Sequence, residues 1–257
     1  MESLKEKTVF ITGASAGIGE ACAHAFAREG CHVLLAARRK DRIDVLARTL
    51  ASTHQIRAHA FRLDVTKQPE VGAALASLPA EWKQIDILVN NAGLSRGLSS
   101  LHEAEIRDWE EMIDTNIKGL LYVTRTVLPG MVARNSGHVI NLGSIAGHQL
   151  YPKGNVYCAT KYFVNGLSQG MRMDLLGTNV RVSSVDPGLV ETEFSEVRFR
   201  GDRERAAVTY ANTRALTPGD VAEVVVFCAT RPLHVDIAEV IVMPTDQASV
   251  NHVHRTA

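Results

Sequence analysis

Tyr157 and Lys161 stand four residues apart in a stretch of helical period. On a helix they share one face, about 6 Å apart along the axis. A lone tyrosine is a poor base at neutral pH, because its unperturbed pKa is about 10. A neighbouring ammonium favours the phenolate and lowers that value. Tyr-x-x-x-Lys alone is a common accident of amphipathic helices, and its company is what gives it weight here. Ser144 lies thirteen residues before Tyr157, at the end of the apolar run His138-Val139-Ile140-Asn141-Leu142. Its hydroxyl can face the same cleft, so the three side chains offer proton transfer at an oxygen.

A second cluster lies near the start of the chain. Thr12-Gly13-Ala14-Ser15-Ala16-Gly17-Ile18-Gly19 follows an apolar run and opens into helix-period residues. Glycines let the backbone approach a pyrophosphate closely, and a helix N-terminus offers free N–H groups and a positive dipole end. The spacing is G-x-x-x-G-x-G rather than the commoner G-x-G-x-x-G. Beyond the second apolar run, where NAD enzymes place an acidic residue for the ribose 2′-hydroxyl, this chain has Ala36-Ala37-Arg38-Arg39-Lys40. Cations there attract a 2′-phosphate, and arginine grips one in bidentate fashion. NADP(H) is therefore expected over NAD(H), with Arg38 as the first contact and Arg39 as the second.

Short β-rich runs alternate with helical stretches along the chain. Strands are expected at Thr8–Thr12, His32–Ala37, Ala58–Leu63, Ile85–Val89, His138–Leu142, Val180–Val185 and Val240–Met243. Helices are expected between them, including Glu103–Thr115, Leu120–Arg134 with a kink at Pro129, and Val156–Leu176. This pattern describes an α/β fold: a Rossmann-type doubly wound parallel sheet with helices on both faces. Residues 1–257 read as a single catalytic domain. Residues 191–216 break the rhythm, being charged and Arg-rich, and form a lid-like insertion where ligands of open α/β sheets bind.

The chain has 257 residues, with 28 Lys+Arg against 28 Asp+Glu and a formal net charge of zero. That balance argues against nucleic-acid partners and polybasic membrane contact. No run of about 18 apolar residues suggests a membrane span, and the charged start Met1–Lys7 lacks a signal-peptide core. Cys22, Cys31, Cys158 and Cys228 are scattered without metal-ligand spacing, and no His-Glu-x-x-His occurs, so no metal is expected. A soluble intracellular protein is the expectation.

Together these residues resemble the short-chain dehydrogenase/reductase family, in that family's order from end to end: Thr12–Gly19, Leu63-Asp64-Val65, Asn90-Asn91-Ala92-Gly93, Asn116, Ser144, Tyr157, Lys161 and Pro187-Gly188. The resemblance implies a seven-stranded sheet with Tyr157 as general acid/base and Ser144 positioning the substrate oxygen. It implies that Lys161 lowers the tyrosine pKa and holds the nicotinamide ribose, and that Asn116 anchors a water in the proton relay. Gly13, Ser15, Gly17, Ile18 and Gly19 would hold the pyrophosphate, and Asp64 and Val65 would meet the adenine. Asn90, Ala92 and Gly93 would line the cofactor wall. Pro187, Gly188, Val190 and Thr192 would bind the cofactor, with Thr192 bonding its carboxamide.

Asn141–Gly147, Pro187–Ser195, Val197–Asp202 and Pro244–Ser249 are similar to a narrower branch, the NADP-dependent 3-hydroxy acid dehydrogenases, also named serine 3-dehydrogenase, L-allo-threonine dehydrogenase or malonic semialdehyde reductase. That resemblance implies a cytoplasmic homotetramer acting on a small-molecule 3-hydroxy acid. Such a substrate is mostly carboxylate, and Arg198 or Arg200 is expected to bind it. Asp186 before Pro187-Gly188 and Ser95-Arg96 after Gly93 depart from commoner forms, and Arg96 is placed to alter the substrate pocket. The competing readings are a broad carbonyl or 3-oxoacyl carrier-protein reductase and a non-catalytic NADPH sensor. The second expects a broken catalytic set, whereas Asn116, Ser144, Tyr157 and Lys161 are all present.

Overall fold

Along the first strand, Thr8–Thr12 (β1), Val9 and Ile11 pack to one face while Phe10 packs to the other. A strand buried on both sides in this way needs apolar residues throughout, which is why these runs do not alternate with polar ones. The computed structural model describes residues 2–256. Met1 of the charged N-terminal segment and Ala257 at the end of the expected domain lie outside them.

In chain order come α1 (Gly17–Arg28), β2 (His32–Ala37), α2 (Lys40–His54), β3 (Ala58–Arg62), α3 (Gln68–Ala76) and β4 (Ile87–Asn90). The second half adds α4 (Ile106–Ile113), α5 (Leu120–Ala133), β5 (Gly137–Leu142), α6 (Asn155–Asp174) and β6 (Val180–Pro187). Then follow α7 (Phe194–Arg198), α8 (Arg203–Tyr210), α9 (Pro218–Ala229) and β7 (Glu239–Val242). The strands form one parallel sheet in the order β3-β2-β1-β4-β5-β6-β7. Cys22 and Phe26 of α1, Ile43 of α2 and Val221 and Val225 of α9 cover one face. Val71 of α3, Val123 and Met131 of α5 and Met171 of α6 cover the other. Strand order reverses between β1 and β4, which opens a crevice at the carboxyl ends where ligands of doubly wound sheets bind.

One expectation changes. The two helices expected around residue 117 are joined without a break, through a π-helical turn at Asp114–Gly119, and α5 stays helical through Pro129. A π turn widens the helix by one residue and is frequent at functional sites. Asn116 sits in this one. The expected lid-like insertion, residues 191–216, contains α7 and α8. Gly30 ends α1 with φ +76°, the left-handed conformation expected of a glycine just past a helix.

Candidate active site

The glycine loop between β1 and α1 is shaped by backbone. Gly13 adopts φ +67°, and a Cβ there would come within 2.9 Å of the Ala92 backbone. Gly17, φ +58°, begins α1 with Thr192 pressed against it, 3.2 Å from where a Cβ would be. Gly19 does not line the cavity: a Cβ there would meet Gly13 O at 2.5 Å, so it lets α1 pack against the loop beside Asn91. Asn91, which sequence reasoning passed over, fastens the loop. Its Nδ2 donates to Thr12 O and Gly13 O at 2.9 and 3.2 Å, while its own N–H and that of Ala92 donate to Thr12 Oγ1. Its place inside the Asn-Asn-Ala-Gly run was the available signal.

This loop forms one wall of a cavity of about 650 Å³ that runs across the carboxyl ends of the sheet. That volume suits a small-molecule or cofactor site. Gly13, Ser15, Gly17, Ile18, Arg38, Arg39, Asp64 and Val65 line one end; Ser144, Tyr157, Lys161 and Arg198 line the other. Ala92, Gly93, Pro187, Gly188, Val190 and Thr192 lie between. A glycine-walled groove at a helix N-terminus, with two arginines at one end and a buried phenol at the other, suits a phosphorylated dinucleotide in charge.

Asn90 is a correction. It lies beneath the wall, buried, with Nδ2 donating to Thr124 Oγ1 and Asn141 Oδ1 at 2.9 Å each. Asn141 continues to Ser168 Oγ at 2.9 Å. This network ties α5 and α6 to the strand ends that carry the site. Asn116 is also behind the wall. Its Oδ1 accepts from Leu94 N at 2.9 Å, and its Nδ2 donates to Leu94 O at 2.8 Å and to Thr160 Oγ1 at 3.0 Å. It thereby fixes the turn after Gly93 against α6.

At the chemical end, Tyr157 and Lys161 share the inward face of α6, with Lys161 Nζ 6.0 Å from the phenol ring centre. Lys161 Nζ donates to Leu142 O at 2.8 Å, which fixes it at the end of β5. Burial lowers the ammonium to about 8, partly opposed by the Asp186 carboxylate. Burial also pushes the Tyr157 phenol up, with Tyr151 adding to the rise; Arg198 and the Ser144 hydroxyl oppose it. Arg198 is thus a second cation, besides Lys161, placed to favour the phenolate. Ser144 accepts from Ala146 N at 3.1 Å and donates to Pro187 O at 3.4 Å, so its hydroxyl is held at the mouth of β5.

The structure separates the two lid arginines. The Arg198 guanidinium lies 5.4 Å from the Tyr157 ring centre, 5.3 Å from Phe194 and 5.9 Å from Tyr151, and donates to Tyr151 Oη at 3.0 Å. Its Nε is buried and has no protein partner. Phe194 packs edge-on to Tyr157 at 5.7 Å. Arg200 does not line the cavity. It follows the end of α7 with φ +53°, turns outward, and pairs with Asp108 and Glu111 of α4. The alternative that Arg200 binds substrate is therefore withdrawn. Arg96 acts beside it as a strap: it pairs with Glu111 at 2.5 Å and donates to Val197 O, while Gly97 N donates to Arg198 O at 3.1 Å.

Asp186, at the end of β6, is fully buried, accepting from Ser184 Oγ at 2.7 Å and pairing with His148 Nε2 at 2.9 Å. It fills the space beside Gly143, where a Cβ would lie 1.6 Å from Asp186 Oδ1. With Asp186 held on both oxygens it has nowhere to go. Gly143→Ala is therefore expected to cost about 1–3 kcal/mol of stability, the usual penalty of overpacking, read from urea unfolding. An unchanged midpoint would refute this packing. Glu239 approaches the same imidazole at 3.6 Å, a His–Asp–Glu cluster that sequence spacing did not reveal. The four cysteines are buried and free. No helix among the described residues is long and apolar enough to cross a membrane.

The end of the chain adds residues to the site that were not among those expected there, although Pro244–Ser249 carries part of the resemblance. Gln247 Oε1 accepts from Leu189 N at 2.7 Å, and Gln247, Val250, Val253 and Arg255 close the cavity's outer side.

The family model of short chain dehydrogenases matches residues 7–202. An NADP-dependent 3-hydroxy acid dehydrogenase of Salmonella typhi is 51% identical over 250 residues, covering 96% of this chain and 99% of that protein. One of Schizosaccharomyces pombe is 42% identical, covering 99% of both. Among solved structures, the closed form of a serine dehydrogenase complexed with NADP+ superposes with a TM-score of 0.90 at 50% identity, covering 97% of this chain and all of that one. The family model spans most of the chain and these relatives nearly all of it: the chain belongs to the short-chain dehydrogenase family.

Proposed function

We propose that this protein is an NADP(H)-dependent dehydrogenase of small 3-hydroxy acids, of the type of L-serine, L-allo-threonine or 3-hydroxypropionate. The observation that carries the substrate class is Arg198, a half-buried guanidinium whose Nε is buried and unpartnered, over the ring of the proton-transfer tyrosine. A carboxylate two bonds from the reacting carbon reaches this cation while the hydroxyl meets Tyr157 and Ser144. Charge-assisted pairing of that kind fixes the reactive pose.

When bound, the nicotinamide supplies the hydride acceptor or donor. The chain's own residues do the rest. Tyr157 takes the hydroxyl proton in oxidation and returns it in reduction. Ser144 orients the oxygen, Lys161 braces the end of β5 beside Tyr157, and Arg198 favours the phenolate. Phe194 and Val197 shield the reacting carbon from water. Gly13, Ser15, Gly17 and Ile18 cradle the pyrophosphate, and Asp64 and Val65 meet the adenine. Thr192, against Gly17, serves the carboxamide, and Arg38 and Arg39 meet the 2′-phosphate.

Residues 1–257 form a single catalytic domain of a cytoplasmic homotetramer in this reading. Exposed apolar side chains on α5 (Leu121, Val132) and α6 (Tyr162, Met173) support self-association. Light scattering on the purified protein tests the tetramer, and a monomer would contradict it.

The cofactor half is tested by Arg38→Asp. A carboxylate beside the 2′-phosphate should raise KM for NADP+ by about 10-fold or more while lowering that for NAD+. An unmoved KM for NADP+ refutes the role of Arg38. The substrate half is tested by neutralising the ligand: the methyl ester of 3-hydroxypropionate should be a far poorer substrate than the acid, and equal turnover would refute the carboxylate anchor.

A further inference from the structure

Glu193, the residue before α7, reaches across the adenosine end of the cavity and bridges two arginines. Its Oε2 accepts from Arg39 Nη1 at 2.7 Å and its Oε1 from Arg42 Nη1 at 2.7 Å. Arg39 in turn donates through Nε to Ser15 Oγ at 3.1 Å, and Ser15, Arg38, Arg39 and Glu193 all line the cavity. Arg42 stands in the first turn of α2, where the helix dipole disfavours a cation. An anion held there offsets that cost. The pairing holds Glu193 below the usual carboxylate range, through its bond to Arg42 first and to Arg39 besides. The protein has thus built an anion site from two guanidinium groups at the phosphate corner of its dinucleotide cleft and filled it with its own carboxylate.

A 2′-phosphate arriving at Arg39 meets that carboxylate. Two anions on one guanidinium repel, by about fivefold in affinity for unit charges about 4 Å apart in water. We propose that Glu193 holds the place of the 2′-phosphate on Arg39 and is transferred to Arg42 alone when the phosphate binds, so that Glu193 sets how strongly the site discriminates phosphorylated from unphosphorylated dinucleotide. Arg42 makes the exchange cheap, because the displaced carboxylate keeps one of its two partners. The bridge from Arg42 to Glu193 spans 151 residues and ties the lid to α2, and it is the half of the pairing that the exchange keeps. This inference rests on the NADP(H) reading, with Arg38 and Arg39 as its phosphate ligands.

The test is fluorescence titration of NADPH and NADH into the wild type, Glu193→Gln, Arg42→Met and the double variant. All three side chains are about half exposed, so folding is not at stake, and thermal melts without cofactor check this. Glu193→Gln should tighten NADPH about fivefold and move NADH less than about twofold, since removing one negative charge acts only on the phosphate. Arg42→Met should weaken NADPH by stranding Glu193 on Arg39, and this loss should shrink in the Glu193→Gln background. An NADPH affinity unchanged or weakened in Glu193→Gln, or an equal shift for NADH, overturns the inference. A wild type that binds NADH as tightly as NADPH overturns the cofactor reading itself, a distinct result from discrimination that Glu193→Gln leaves unmoved.

Discussion

Tyr157→Phe is expected to lower turnover by about 10²–10⁴-fold or more, the range that a positioned proton donor or acceptor supplies. The substitution removes one oxygen and keeps the ring, which packs against Phe194 and under Arg198. NADPH affinity should stay within a few-fold, because the glycine loop and Arg38 lie at the other end of the cavity. The loss should therefore fall on kcat, with little on cofactor binding. The wild-type pH profile follows from the same group. Oxidation needs Tyr157 as phenolate, and burial pushes the phenol above its usual value. Fewer molecules then carry the base at neutral pH, so kcat/KM for oxidation should rise as pH increases. Retained activity in Tyr157→Phe would overturn the acid/base assignment.

Arg198→Met is expected to raise KM for 3-hydroxy acids by about 10–100-fold, the value of a hydrogen bond to a charged group. Met fills a comparable volume among Tyr151, Tyr157 and Phe194 while removing the cation. A second effect separates anchoring from packing. Arg198 opposes the upward push on the Tyr157 phenol, so its loss should move the alkaline rise of kcat/KM to higher pH. For a neutral secondary alcohol KM should barely change, though the pH profile shifts in the same direction. Equal losses for acid and alcohol would refute the carboxylate role. Arg200→Met should leave KM unchanged, since its guanidinium faces Asp108 and Glu111.

What was legible in the sequence was local. Tyr157 and Lys161 meet because a helix repeats every 3.6 residues, and the glycine loop acts at a strand-to-helix turn whose backbone it defines. The alternation of apolar runs and helical stretches was enough for the seven parallel strands. What escaped depends on contacts between distant elements. Arg198 and Arg200 are equivalent in charge and nearly so in place. The turn at Arg200, φ +53°, sends one inward and the other out, and no spacing rule reports it. Glu193 with Arg42, and Gln247 with Leu189, are separated by 151 and 58 residues. Asn90 was expected at the cofactor wall because its motif borders the cleft, but its side chain points back into the polar network with Asn141 and Thr124. The lowering of the Tyr157 pKa was assigned to Lys161 by helical proximity. Burial lowers the pKa of that ammonium to about 8, which leaves it mostly charged at neutral pH, and Arg198 brings a second cation from the lid.

The reaction is hydride transfer between NADP(H) and a small 3-hydroxy acid at Tyr157. Its most direct test is the initial rate of NADP+ reduction with L-serine, L-allo-threonine, 3-hydroxypropionate, 3-hydroxyisobutyrate and simple secondary alcohols, repeated with NAD+. The account predicts that one or more of the acids exceeds the alcohols in kcat/KM by about 10-fold or more, and that NADP+ is preferred, since each tenfold corresponds to about 1.4 kcal/mol of added transition-state binding. Alcohols turned over as well as the acids, or NAD+ used as well as NADP+, would contradict it.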